Sequence, residues 1–167
     1  MANTKTNVLS NAATLLIGAH GGAATAVGYT RNGVTITKTY DTRSIEADQT
    51  RFPLYTQVTS EGYEINFRLM EITADNLKDG WGESATVGAG NLSLGVESDN
   101  PDEKVIQVYA KNKADQYVIF TFYDCVLAST GGLTFSRDEE ALIEATFTAL
   151  YDDDEKCCGL FEEDGTP

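Results

Sequence analysis

The sequence holds one histidine and three cysteines, and their surroundings limit the chemistry it can support. His20 sits in the Gly-rich stretch GAHGGAATAVG with no cysteine or acid at ligand spacing, which argues against the usual His/Cys zinc centres and most general-base schemes. Nothing in the spacing brings His20 to Cys125, Cys157 or Cys158 as a nucleophile pair. Cys157 and Cys158 are adjacent, a poor geometry for a disulfide, so reduced thiols are expected.

The stretches GAHGG and GAGNLS lack the lysine of a phosphate loop and the strand-to-helix setting of a dinucleotide fingerprint, and read as turns. The acid clusters ESDNPDE (97–103) and DDDE (152–155) lack the spaced ligands and central glycine of an EF-hand loop. No pair of carboxylates is singled out for glycoside hydrolysis. The expectation is a protein that is not an enzyme and has no metal or cofactor.

The elements that would carry any site are mostly strands. Eight Tyr, seven Phe and fifteen Gly against three Pro favour strands and turns over helices, and 167 residues suit one core that buries roughly 70% of the unfolded surface. No run approaches the about 18 apolar residues of a membrane span, and MANTKTNVLSN lacks the features of a signal peptide, so the chain reads as soluble and cytosolic. The formal charge of -14 is uneven: residues 1–83 hold 9 acids and 7 bases, residues 84–167 hold 17 and 5. That sign disfavours a conventional nucleic-acid-binding module and serves solubility.

Residues 1–11 are polar and patternless, as in an extended arm, and 12–17 read as a buried strand before a Gly/Ala loop within 18–32. Strands follow at 33–40 and 42–50, then at LYTQVTS and YEINFRLM on either side of a turn at Glu61-Gly62. On the latter segment Tyr63, Ile65, Phe67 and Leu69 share one face, and Glu64, Asn66 and Arg68 the other. KVIQVYAK (104–111) and QYVIFTFYDCV (116–126) form a further pair, and ALIEATFTALY (141–151) alternates well enough to favour strand over helix. Residues 153–167 read as an acidic tail.

One short helix is expected over about 73–80. Thr73 suits the N-cap, Asp75 complements the helix dipole, and Gly80 is the expected left-handed terminus. Ile72 and Leu77 have the spacing of a hydrophobic staple. A helix this short needs a surface to lie on, with Ile72, Leu77 and Trp81 as its anchors on the sheet or a neighbour.

The order of these segments resembles the phage major tail tube protein family. The resemblance rests on GYTRNGVTIT (28–37), SIEADQT (44–50), the strand ending in MEITADNLKDGWG, and FYDCVLASTGGLTFSRDEEALIEATFTALYD, and spans residues 12–152. It implies a mainly β fold of two packed antiparallel sheets, sandwich- or barrel-like, with one short flanking helix. It also implies hexameric rings of the protein itself, stacked into a tube around a tape-measure protein, joined to tail-end proteins and conducting double-stranded DNA. Assembly would take place in the host cytoplasm and the product would be part of the virion. Glu64, Asn66 and Arg68 are then channel-facing candidates.

Two alternatives stand beside this. A tail terminator or the inner tube of a contractile injection system shares the architecture. A monomeric β-sandwich binding or adhesion module, calcium-assisted through Asp99, Asp102 and Glu103, belongs to a different class.

Overall fold

A computed structural model describes residues 9, 12–46, 48, 51–83, 90–95 and 102–165. Eight strands run in the order β1 (Thr14–Ala19), β2 (Thr25–Ala26), β3 (Thr30–Ile45), β4 (Tyr55–Leu69), β5 (Lys104–Lys111), β6 (Tyr117–Thr130), β7 (Ile143–Ala149) and β8 (Gly159–Gly165). One helix, α1 (Ala74–Trp81), separates β4 from β5. No helix among the described residues is long and apolar enough to cross a membrane.

The mainly β architecture with a single short helix is the one the sequence suggests. Its strands are hydrogen-bonded into one antiparallel sheet ordered β2-β1-β5-β6-β7-β4-β3, with β8 also on β6. The long strand β6 joins the two halves. Its Tyr117–Phe122 portion pairs with β8, and its Cys125–Thr130 portion pairs with β7. Leu15 and Ile17 of β1 meet Ile65 and Phe67 of β4, Ile106 of β5 and Phe147 of β7 in one core, so the sheet folds over onto itself.

Alternation sets the register. In β7, Ile143, Ala145, Phe147 and Ala149 are buried while Glu144, Thr146 and Thr148 are partly exposed, a period of two that a helix cannot present. Phe147 lies opposite Ile65 on β4, and its ring stacks on Phe67 with centroids 5.7 Å apart. A one-residue slip would turn this whole face to water.

Several expectations change. Glu61-Gly62 is no turn: β4 runs straight through it, Gly62 faces Thr39, and neither residue has the positive φ that a two-residue hairpin requires. Segments 33–40 and 42–50 are one strand up to Ile45, interrupted only by an irregularity between Asp41 and Thr42. The Gly/Ala loop contains the two-residue β2, which pairs with β1. Most of the expected N-terminal arm lies outside the described residues; Leu9 bridges to Asn112.

The acidic tail is also a strand. Asp152 Oδ1 accepts from the backbone N–H groups of Asp154 and Glu155, turning the chain so that β8 returns along β6. There the Phe161 ring packs on Phe120 at 4.9 Å.

Candidate functional site

The β3–β4 hairpin carries an exposed surface. Beyond Ile36 on β3 and Gly62 on β4 the hairpin leaves the core. Every residue of Thr37–Ser44 and of Tyr55–Glu61 is exposed. The two strands stay paired to the end, Ile45 facing Tyr55, with Ser60 Oγ donating to Asp41 Oδ2 at 2.9 Å. About eight residues at about 3.4 Å each make a ribbon of about 27 Å. Tyr40, Tyr55 and Val58 are large apolar groups exposed on it, and Leu54 is exposed just before β4. A two-stranded ribbon with neither face covered is marginal in water on its own. β3 also ends the strand order, which puts a long edge beside that ribbon.

Nearer the body, Glu64, Asn66 and Arg68 lie on the outer, polar face of β4. Thr146 Oγ1 donates to Asn66 Oδ1 across the β4–β7 pair. Arg68 Nε lies 2.6 Å from Glu144 Oε1, and Arg31 pairs with Glu140. Thr35, Thr37 and Thr148 complete a face on which acids and bases nearly balance. The chain's excess negative charge is therefore concentrated elsewhere.

The helix is tied to the body by side chains the sequence reading missed. Thr73 caps α1 by accepting from the N–H of Asn76, as expected. Leu77 and Trp81 are partly buried against the core, whereas Ile72, in the residue before the cap, remains 42% exposed. Asn76 is buried and donates to the carbonyls of Val27 and Glu71, both at 2.9 Å. Lys104 Nζ reaches Asp79 at 2.9 Å. The left-handed terminus is Gly82, with φ 70° and its N–H on the carbonyl of Lys78. Gly80 serves a different need: a Cβ there would lie 2.5 Å from Ile143 Cγ2, so only glycine lets the helix sit this close to β7.

Residues that could hold a metal also come together. Glu103, at the foot of β5, and Asp124 of β6 approach His20, with their ligand atoms all within 4.8 Å of one another. Asp152 Oδ2 lies 3.6 Å from His20 Nε2. His20 Nδ1 lies 3.1 Å from the carbonyl of Tyr123, a contact that raises the imidazole pKa; burial opposes it, and the charges on Asp124, Asp152 and Glu103 add to it. Burial, and then the charge on Glu103, push the Asp124 carboxyl above its ordinary value. Sequence spacing hid this group because its members are 83 to 132 positions from His20. Of the expected calcium set, Glu103 belongs to the His20 group and Asp102 lies 3.7 Å from Lys104 Nζ, while Asp99 lies outside the described residues.

No family model and no curated protein matches the sequence. Solved structures do match its fold. A chain of the PVC sheath-tube complex of an extracellular contractile injection system, in the extended state, aligns with TM-score 0.53 at 13% identity, over 91% of this chain and 88% of that one. A chain of the PVC sheath/tube terminator, also extended, aligns with TM-score 0.55 at 12% identity, over 93% and 96%. The fold is shared with components of a contractile injection system. Both alignments run nearly end to end, so the likeness covers the whole sheet and not one hairpin.

Proposed function

We propose that the chain is a structural subunit that self-assembles into hexameric rings, which stack into a tail tube conducting double-stranded DNA, and that it is not an enzyme. The ribbon of Thr37–Ser44 and Tyr55–Glu61 carries this reading, because its two open faces, its apolar Tyr40, Tyr55 and Val58, and Leu54 just before it need a neighbouring subunit to cover them. Closing a ring pairs exposed strand edges that would otherwise promote aggregation. The fold likeness to tube and terminator assemblies supports the same reading. Tape-measure and tail-end proteins are the further partners it implies, within a virion tail.

Glu64, Asn66 and Arg68 are the candidates for the channel wall. One carboxylate about 10 Å from a phosphate in water is repelled by only about 0.4 kcal/mol, and salt weakens this further. A wall where Arg68 is matched by Glu144 would neither bind the duplex tightly nor repel it strongly. Passing DNA would then meet little friction.

Electron microscopy and light scattering of the purified protein test the proposal. Long uniform tubes or hexameric rings are expected, and a monodisperse monomer at high concentration would refute it. The terminator reading predicts single rings that never stack.

A further inference from the structure

The group around His20 contains two nearly buried carboxylates, Asp124 and Asp152. Asp124 is 8% exposed, and its Oδ1 is enclosed and has no hydrogen-bond partner among the described residues. Asp152 is 6% exposed and is fixed at Oδ1 by two backbone N–H groups, which leaves Oδ2 facing His20. The contact of His20 Nδ1 with the Tyr123 carbonyl is that of a ring N–H donating to it, and this leaves the lone pair on Nε2, the nitrogen nearest Asp152. A backbone carbonyl orienting the imidazole in this way is a recurrent support for histidine ligands.

We propose that His20 Nε2 and the carboxylates of Glu103, Asp124 and Asp152 bind one divalent first-row transition metal ion, of the zinc class. Three carboxylates face one imidazole here. A proton on His20 would offset one of their charges, whereas a divalent ion offsets two and gives the enclosed Asp124 carboxylate a partner. The imidazole favours zinc-like ions over calcium, which takes six to eight oxygens. Tetrahedral zinc with bonds of about 2.1 Å needs ligand atoms about 3.4 Å apart. Nε2 and Asp152 Oδ2 are near that spacing already at 3.6 Å. His20, Glu103 and Asp124, with ligand atoms within 4.8 Å of one another, would close on the ion through the exposed side chains of His20 and Glu103, while the buried Asp124 and Asp152 hold the floor. The ion would fasten the turn after β1, the foot of β5, the middle of β6 and the turn into β8.

The test uses the full chain with Cys157 and Cys158 replaced by serine, which removes the accessible thiols as competing ligands. Titration with Zn2+ should show one ion per chain and a raised melting midpoint, and Co2+ should give the visible absorption of a low-coordinate site. His20→Gln, on an exposed turn, should weaken binding at least about tenfold while leaving the circular dichroism unchanged. Asp124→Asn should do the same, and nitrogen-15 NMR should show the His20 Nε2 resonance moving on Zn2+ addition. Binding unaffected by His20→Gln would overturn the proposal. So would loss of Zn2+ binding on replacing the two cysteines alone, or stabilisation by Ca2+ that survives His20→Gln. Each of these results is independent of whether tubes form.

Discussion

Lys104 Nζ and Asp79 Oδ1 lie 2.9 Å apart in the seam between α1 and the foot of β5, and the lysine side chain is almost completely buried. An ammonium enclosed there depends on its carboxylate. Asp79→Leu should cost about 3 kcal/mol, because it leaves the buried charge with only the more distant Asp102. The double variant Lys104→Met/Asp79→Leu should recover most of that loss, since removing both charges removes the desolvation cost as well. Urea unfolding of the three proteins measures it. A double variant no better than the single one would show that the pair contributes net stability.

Gly80→Ala gives a sign test. On an exposed helix the change would stabilise by up to about 1 kcal/mol. Here the new methyl meets Ile143 Cγ2 at 2.5 Å, and overpacking of this kind costs about 1–3 kcal/mol. The melting temperature should therefore fall. A rise would mean that α1 can lift off β7 freely.

Cys125 is fully buried, and burial pushes its thiol up to about 12. In native protein at pH 8 it should resist maleimide, and react only when denaturant opens the core. Intact mass after labelling, with Cys157 and Cys158 replaced by serine, reads this directly. Labelling of Cys125 at the rate of a free thiol would indicate that β6 opens readily.

The ribbon can be tested without disturbing the body. Val58→Asp and Leu54→Asp fall where the native side chains are exposed, so monomer stability should change by no more than about 0.5 kcal/mol. A charge buried against a neighbouring subunit would block association. Circular dichroism should be unchanged while electron microscopy shows no tubes. Normal tubes from Val58→Asp would place the subunit contact elsewhere.

The sequence determined everything that depends on near neighbours in the chain. The two-residue alternation of β4 and β7, the β5–β6 pair and the Thr73 cap follow from local periodicity and capping chemistry, which distant residues did not override. The β5–β6 turn is equally local, with Asn112 Oδ1 accepting from the N–H groups of Ala114 and Gln116. Local pattern misplaced the turn at Glu61-Gly62, because a glycine inside a strand and a glycine in a hairpin look alike until the partner strand is known. It misplaced the helix end for a related reason: Gly80 is required by the close approach of Ile143, which no neighbour in the sequence reveals.

Only the tertiary structure decided what long-range pairing creates. It made the acidic C-terminal segment a strand, because β6 has an open edge above β7 for it to occupy. It sent the β3–β4 ribbon beyond the core, since strand length alone does not say where the opposing layer stops. It also placed His20 beside Glu103, Asp124 and Asp152, whose separations along the chain carry no ligand spacing. Charge and periodicity are written residue by residue, whereas a cluster drawn from four elements exists only once the sheet has closed over its core.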